Sequence, residues 1–247
     1  MRAFFRNWLL AFLLPRPLVG VFHLPRYWRD WRRFQALGRQ PLAWRDAHPC
    51  LGDWVSETPF DPHYFFQGAW LARRLAAARP ALHVDIGSSV LTLSVASATT
   101  EIVFLDYRPL RSRLSGLHGV AGDITRLPLR SGSLGSLSSL HVIEHIGLGR
   151  YGDPLDPQGS VKAAAELARV VAPGGRLYLS VPVGRERICF NAHRVFHPES
   201  IVAMFAPLKL EQFALVDDSG DFHEGANMTD GHALDYGCGL FEFVKRA

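Results

Sequence analysis

From residue 64 to the end of the chain, the apolar residues occur in two kinds of segment. Short apolar runs bounded by small or charged residues predict strands at 81–86, 101–105, 137–142, 176–181, 208–216 and 239–244. Longer segments with apolar residues at helical spacing predict helices at 64–79, 90–98, 161–171 and 198–205. Strands that alternate with helices are typical of a doubly wound α/β domain with a parallel sheet. Residues 64–247 are therefore expected to form one such domain.

The first predicted strand ends in a turn of small residues, Asp85-Ile86-Gly87-Ser88-Ser89. Gly87 can take backbone angles that other residues avoid, and it lets a ligand approach the chain. Ser88 and Ser89 are suited to cap the helix that follows. A strand that ends in Asp-x-Gly before a helix favours a nucleotide-like ligand at this edge of the sheet. The alternative is an ordinary connection between a strand and a helix.

The second predicted strand leads into Asp106, 20 residues beyond Ile86. In dinucleotide-type sites, an acidic residue at this place accepts hydrogen bonds from ribose hydroxyls. The alternative is an Asp that caps the next turn.

The composition of the chain describes a folded globular protein, with 48% apolar and 20% charged residues in a length of 247. The three cysteines, Cys50, Cys189 and Cys238, are odd in number and show no C-x-x-C spacing. We interpret them as free thiols in a reducing compartment, which predicts a cytoplasmic protein.

Residues 1–63 form a basic, aromatic N-terminal extension with an irregular connector at its end. Residues 1–50 carry nine Arg against two Asp, a net charge of +7, which leaves −3 for the rest of the total of +4. The longest apolar run, residues 8–14, is far shorter than the roughly 20 residues of a spanning helix. Pro15 and Pro17 interrupt the apolar segment, which makes a signal peptide a poor interpretation of it.

This extension has two open interpretations. Its arginines and aromatic side chains, mainly within residues 1–35, are typical of a segment at a membrane surface, which predicts a peripheral contact with the inner membrane. Alternatively, the aromatic residues pack on the protein's own core or on a partner subunit. We expect no nucleic acid as a partner, because no nucleic-acid module accompanies the extension, and the sequence leaves the oligomeric state open.

The order of motifs resembles that of the class I S-adenosylmethionine-dependent methyltransferases. The matching pieces are His83-Val84-Asp85-Ile86-Gly87, Phe104-Leu105-Asp106, Gly122-Asp123-Ile124, Leu140-His141-Val142-Ile143-Glu144-His145 and Val171-Ala172-Pro173-Gly174-Gly175. The resemblance implies a Rossmann-like doubly wound sheet, mostly parallel with an antiparallel final strand. It also implies S-adenosylmethionine as the cofactor.

The resemblance further implies a set of cofactor-binding residues. Asp85 and Gly87 would line the methionine end, Asp106 the ribose, and Asp123 with Ile124 the adenine, and Ser88 and His141 complete the set. The chain departs from the usual Gly-x-Gly-x-Gly pattern, because Ser88, Val90 and Leu91 follow Gly87. Val90 and Leu91 are therefore expected to narrow the site.

A closer resemblance is to the family called domain of unknown function 268. The resembling pieces are Thr58-Pro59-Phe60-Asp61-Pro62-His63-Tyr64, Asn191-Ala192-His193-Arg194-Val195-Phe196-His197-Pro198 and Asp235-Tyr236-Gly237-Cys238-Gly239. Members tend to accompany bacterial surface-polysaccharide synthesis, which implies O-methylation of a glycan or glycolipid intermediate. The alternative is a catalytically inactive, methyltransferase-like assembly module at the membrane surface.

The segment from His141 to His145 formally matches the zinc-protease pattern H-x-x-E-H. That pattern requires a helix, whereas this segment follows an apolar strand, so we predict no metal site. His145 or Glu144 is instead the candidate general base for an acceptor hydroxyl, since the pKa of His suits that role. The alternative is that these side chains hold the loop by hydrogen bonds.

Two polar segments are candidates for binding the acceptor. The loop at 147–159 contains Arg150 and Tyr151, and it lies where acceptor loops belong in this fold, outside the carboxyl ends of the strands. His193, Arg194 and His197 follow the next strand and could grip a sugar or phosphate group. The alternative for this second segment is a capped loop held by packing.

Overall fold

A computed structural model describes residues 22–38 and 41–246, which fall into two units. The first unit extends to Phe60 and contains helix α1 (Leu24–Leu37) and a short 3-10 turn at Trp44–Asp46. Pro25 lies in the first turn of α1, where its fixed φ angle suits a helix start. None of the residues of α1 is buried. The predictions made for residues 1–21 lie outside the described residues.

The second unit begins at Asp61 and is built on one eight-stranded sheet. Its strands in chain order are β1 (His83–Ile86), β2 (Ile102–Asp106), β3 (Leu117–Ala121), β4 (Leu134–Leu140), β5 (Val171–Val183), β8 (Lys209–Val216), β9 (Phe222–Glu224) and β10 (Gly237–Val244). The spatial order is β3-β2-β1-β4-β5-β10-β8-β9. The first five are parallel, and β10 runs antiparallel to β5. A separate hairpin contains β6 (Arg187–Cys189) and β7 (His193–Val195).

Four helices accompany this sheet. They are α2 (Pro62–Ala78), α3 (Val90–Ala96), α4 (Gly159–Val170) and α5 (Pro198–Met204). Helix α2 begins two residues earlier than the sequence predicted, because the Asp61 side chain accepts a hydrogen bond from the Tyr64 amide and caps it. Short 3-10 turns lie at Ile143–His145 and Met228–Gly231. No helix within the described ranges has both the length and the apolar character needed to cross a bilayer.

The core occupies both faces of the sheet. Successive side chains of a strand point to opposite faces, and β10 accordingly contributes Leu240 to one apolar cluster and Phe241 to the other. The cluster with Leu240 includes Leu71 of α2 and Leu93 of α3, so these helices cover its face. The other cluster includes residues of α4 and α5. The predicted doubly wound architecture with an antiparallel final strand is confirmed.

Candidate functional site

A cleft opens at the carboxyl ends of β1, β2 and β4. In the sheet order, β1 lies between β2 and β4, which is the topological switch point where doubly wound sheets bind ligands. Seven of the site residues predicted from the sequence line this cleft: Gly87, Asp106, Asp123, Ile124, His141, His145 and Tyr151. The edge of the sheet therefore brings residues from distant parts of the chain together.

Gly87 supplies a stretch of cleft wall that has no side chain. Its φ angle is +73°, a conformation that favours glycine. A Cβ atom at this position would lie 3.0 Å from Val142 Cγ1 and 3.4 Å from Asp106 Oδ2. The backbone at Gly87 is therefore open to a ligand only because the residue is glycine.

Four carboxylates line the cleft, and two of them hold the loop that follows β4. Asp153 accepts hydrogen bonds from the Gly147 and Tyr151 amides, at 2.8 and 3.2 Å. Asp156 accepts one from Lys162 Nζ at 2.7 Å. These two carboxylates are consequently engaged in hydrogen bonds within the protein.

The other two carboxylates each keep a free oxygen. Asp106 Oδ1 accepts a hydrogen bond from the Arg108 amide at 2.7 Å, and Asp123 Oδ1 accepts two from Thr125, at 2.8 and 2.7 Å. Within the part of the chain that the structure describes, no protein donor reaches Oδ2 of Asp106 or Asp123. Because a carboxylate oxygen is purely an acceptor, these two atoms suit hydroxyl or amine groups of a ligand.

Asp85 and Ser88 were predicted to contact the cofactor, but neither lines the cleft. The buried Asp85 carboxylate accepts hydrogen bonds from the Ser88 amide, the Ser88 hydroxyl and the Ser138 hydroxyl. Burial raises the pKa of Asp85 to about 6. The Ser88 hydroxyl also accepts a hydrogen bond from the Leu140 amide at 2.8 Å. These residues therefore fix the turn that presents Gly87 and do not face a ligand.

The expected narrowing of the site by Val90 and Leu91 does not occur. Neither residue lines the cleft, and their side chains are 39% and 76% exposed. The turn places both on the outer side of α3, so the departure from the glycine-rich pattern leaves the cleft open.

His145 lies in the 3-10 turn after β4 and faces the cleft. Its Nδ1 is 2.6 Å from the Ala192 carbonyl oxygen, and its Nε2 is 3.6 Å from Glu144 Oε1. Burial lowers the pKa of His145, so the neutral imidazole is favoured. Glu144 itself is fully buried and does not line the cleft, and its Oε2 has no hydrogen-bond partner among the described residues.

His141 forms a wall of the cleft with both ring nitrogens engaged. Nδ1 donates to Glu144 Oε1 at 2.8 Å, and Nε2 lies 3.3 Å from Cys238 Sγ. Burial lowers the pKa of His141, but Cys238 and Glu144 raise it more, to about 10. The ring of His63 stacks on the His141 ring with centroids 5.4 Å apart. The sequence singled out neither His63 nor Cys238 as a site residue, since they are distant in the chain and match no ligand spacing.

Comparisons with known proteins identify a matching family and a shared fold. The model of a family described as "Caenorhabditis protein of unknown function, DUF268" matches residues 109–219. The predicted resemblance to this family is therefore confirmed over that segment. Comparison with curated proteins finds no match.

Solved structures show the same fold at low sequence identity. A candidate sarcosine dimethylglycine methyltransferase from Galdieria sulphuraria is 16% identical, with a TM-score of 0.55 over 74% of this chain and 86% of that one. The N-methyltransferase NodS from Bradyrhizobium japonicum, in complex with S-adenosyl-L-homocysteine, is 15% identical, with a TM-score of 0.51 over 89% and 98%. YcgJ from Bacillus subtilis is 14% identical, with a TM-score of 0.51 over 74% and 99%. The fold of this chain is thus the class I methyltransferase fold.

One rim of the cleft is built around Tyr151, one of the predicted acceptor-binding residues. The ring of Tyr151 packs edge-on against His145 with centroids 5.6 Å apart. The guanidinium of Arg108 lies 4.3 Å from the Tyr151 ring, which connects the end of β2 with the loop after β4. Arg150 does not line the cleft, because its Nη1 donates to the Ala192 carbonyl oxygen at 3.1 Å. Arg108 was missed, since an Arg after a strand carries no specific signal.

The other three predicted acceptor-binding residues do not line the cleft. His193 lies against the Tyr236 ring, with centroids 4.8 Å apart. The buried guanidinium of Arg194 donates to the backbone carbonyls of Glu144 and Ile146, at 3.3 and 2.8 Å. Arg194 therefore supports the loop after β4 and does not face the cleft as predicted.

His197 lies at the start of α5, next to the ring of His232, with centroids 5.3 Å apart. Its Nδ1 is buried without a hydrogen-bond partner among the described residues. The sequence placed His197 on the same rim as His145, but His197 does not line the cleft.

Proposed function

We propose that this protein is a methyltransferase that uses S-adenosylmethionine to methylate a hydroxyl group of a glycan or glycolipid. The observation that supports this most strongly is the convergence of three features in one cleft. These features are the open backbone at Gly87, the two free acceptor oxygens of Asp106 and Asp123, and the uncharged imidazole of His145.

The lining of the cleft fits the proposed cofactor. Asp106 Oδ2 faces the open backbone of Gly87, where ribose hydroxyls would find an acceptor. Asp123 Oδ2 would accept from the exocyclic amine of adenine, and the neighbouring Ile124 offers an apolar contact to the adenine ring. His141 would close the same cleft from the β4 side. These assignments keep the predicted roles of Asp106, Asp123, Ile124 and His141, and give Asp85 and Ser88 a positioning role.

His145 is the proposed general base. The Ala192 carbonyl oxygen can only accept, so the ring hydrogen is on Nδ1 and the lone pair is on Nε2. Nε2 would take the proton of the acceptor hydroxyl, and the Glu144 carboxylate 3.6 Å away would stabilise the resulting imidazolium. Bound S-adenosylmethionine supplies an electrophilic methyl group on a sulfonium. The remaining contribution of the protein is to hold the acceptor oxygen in line with that methyl group.

A sugar acceptor is supported by the character of the rim. Tyr151 presents a half-exposed ring next to His145, a surface on which an apolar sugar face can pack. Arg108 and Arg150 flank this ring at 4.3 and 5.1 Å and would favour a phosphorylated glycan intermediate. The resemblance to a family that accompanies surface-polysaccharide synthesis points to the same acceptor class.

The test is transfer of a radiolabelled methyl group from S-adenosylmethionine to glycans and lipid-linked sugars of a bacterial lysate. The proposal predicts label in a glycan fraction with the wild-type chain and at least about 100-fold less with His145→Gln, since positioned bases contribute about 10²–10⁴-fold. Label that appears only in protein or nucleic acid would contradict the glycan acceptor, and a folded wild-type chain without any transfer would contradict the activity.

The second candidate is an assembly module at the membrane surface, and it is favoured by helix α1. This helix carries exposed Arg29, Arg32 and Arg33 among aromatic residues, and none of its residues is buried. Such a helix suits anionic headgroups. Co-sedimentation of the full chain with anionic vesicles should fall in Arg32→Glu/Arg33→Glu and persist in Arg185→Glu, an exposed arginine of the second unit. Equal sedimentation of both variants would contradict the membrane contact.

A further inference from the structure

Three metal-binding side chains meet on the β10 side of His141, which also lines the cleft. They are His63 of α2, His141 after β4 and Cys238 of β10. One donor atom from each lies within 4.8 Å of the other two. Cys238 and His141 are buried, and His63 is partly buried. The fold therefore encloses two imidazoles and a thiol from chain segments that are far apart in sequence.

The orientation of His141 is that of a metal ligand. The Glu144 carboxylate accepts from Nδ1 at 2.8 Å, so the neutral ring, which is the form that binds a metal, has its lone pair on Nε2. Nε2 faces Cys238 Sγ at 3.3 Å. A carboxylate that fixes the tautomer and direction of an imidazole in this way is the usual outer partner of a zinc-bound histidine. The full burial of Glu144 gives that partner a fixed position.

The third donor distinguishes a metal site from a simple hydrogen bond between Cys238 and His141. A thiol and an imidazole could share a proton, and such a pair needs no other partner. His63 nevertheless lies against the same two groups, and its ring stacks between His141 and Tyr236, with centroid distances of 5.4 and 5.2 Å. Zn–N bonds of about 2.0–2.1 Å and Zn–S bonds of about 2.3 Å place tetrahedral donors about 3.5 Å apart. The His141–Cys238 distance of 3.3 Å already has that spacing.

We propose that His63, His141 and Cys238 bind a Zn²⁺ ion. One thiolate and two imidazoles suit zinc and related borderline-soft cations, and they do not suit Mg²⁺ or Ca²⁺, which prefer oxygen ligands. Three protein ligands leave a fourth position for water or another donor, as in zinc sites that are not purely structural. The ion would also fix His141, whose φ angle of +54° is uncommon for a residue other than glycine. The metal site shares His141 with the cleft and Glu144 with the proposed base, but zinc binding does not require methyl transfer.

The direct test is a titration of the full-length chain, without a polyhistidine tag, with Co²⁺ as a spectroscopic substitute for zinc. The proposal predicts one ion per chain and the charge-transfer absorption of a cobalt–thiolate bond. That absorption should be lost in Cys238→Ser and retained in Cys189→Ser, which changes a partly buried cysteine outside the cluster. A folded wild-type chain without the thiolate absorption would contradict the proposal, and so would its persistence in Cys238→Ser.

Two further variants keep the test decisive if Cys238→Ser does not fold. His63→Ala changes a partly buried side chain and should lower the zinc affinity at least about tenfold, and Glu144→Gln should lower it about 10–100-fold through the loss of the outer carboxylate. Circular dichroism of the metal-free variants controls for folding. Unchanged zinc affinity in folded His63→Ala and Glu144→Gln would contradict the site. Because the readout is metal affinity, a negative result leaves cofactor binding and methyl transfer to be judged separately.

Discussion

The Nδ1 nitrogen of His145 lies 2.6 Å from the backbone carbonyl oxygen of Ala192. Because a carbonyl can only accept, the neutral imidazole keeps its hydrogen on Nδ1 and presents a lone pair at Nε2. Ala192 precedes β7, so the β6–β7 hairpin orients a side chain that follows β4. The orientation of the proposed base thus depends on a residue 47 positions away in the sequence.

Replacement of His145 should separate turnover from cofactor binding. His145→Gln removes the proposed base but retains a polar side chain in the turn. We expect kcat to fall about 10²–10⁴-fold while the affinity for S-adenosylhomocysteine stays unchanged. His118→Gln, an exposed histidine on β3 paired with Glu101, is the control and should retain kcat. Retained turnover in His145→Gln would show that the imidazole only holds the loop.

The pH dependence of turnover should report the environment of His145. Burial lowers the pKa of this group, and Arg150 and His141 lower it further, whereas Glu144 and the Ala192 carbonyl raise it. The base must be neutral to accept a proton, so kcat should rise with pH and level off, with its midpoint below the ordinary histidine pKa of about 6.5. A midpoint above that value would contradict the assignment, because it would require an imidazole stabilised as a cation.

Gly87→Ala should impair cofactor binding more than it impairs folding. The new methyl group would lie 3.0 Å from Val142 Cγ1 and 3.4 Å from Asp106 Oδ2, inside the cleft. Gly174→Ala is a matched control, because its φ angle of +74° equals that of Gly87 within a degree and its Cβ would meet nothing within 4 Å. Both variants should lose about 1–2 kcal/mol of unfolding free energy from the left-handed backbone.

Only Gly87→Ala should also lose affinity for S-adenosylhomocysteine, by about tenfold or more, which corresponds to about 1.4 kcal/mol. Isothermal titration of the two variants measures the difference. Equal affinities would show that the ligand does not approach the Gly87 backbone.

Arg194→Met should act on stability and not on acceptor recognition. The buried guanidinium donates to the Glu144 and Ile146 carbonyls, and each buried carbonyl left without a donor costs about 1–3 kcal/mol. Urea unfolding should therefore show a loss of about 3 kcal/mol, while Arg185→Met, at a side chain that is 77% exposed, should be neutral. An unchanged unfolding free energy together with a raised KM for the acceptor would restore Arg194 to the substrate-binding role predicted from the sequence.

The sequence predicted six of the eight strands of the sheet from short, mainly apolar runs, but it did not predict β3 or β9. Asp123, which lines the cleft, was implied only by the resemblance to the methyltransferases. Gly87 and Asp106 line the same cleft and could be predicted from local patterns, since the carboxyl ends of neighbouring parallel strands meet at one edge. The short β6–β7 hairpin was not predicted, because its strands are three residues long and polar.

The sequence could not predict which polar side chains would be engaged in hydrogen bonds within the protein. Asp85 and Arg194 looked available, yet their partners are serine hydroxyls and backbone carbonyls supplied by segments far along the chain. The proximity of His63 and Cys238 could not be predicted for the same reason, since α2 and β10 meet only in the folded unit. A residue type indicates what chemistry a side chain can perform, whereas its availability depends on tertiary neighbours.

The measurement that tests the account most directly is isothermal titration of the full chain with S-adenosylhomocysteine, comparing wild type with Asp106→Asn. The amide can still accept from the Arg108 backbone, but it replaces the free Oδ2 acceptor with a donor. We predict micromolar binding, about −8 kcal/mol, by the wild type, and a loss of about 10–100-fold in Asp106→Asn. Asp221→Asn, an exposed residue outside the cleft, should bind as the wild type does. No binding by the folded wild type, or equal binding by Asp106→Asn, would contradict the cofactor site.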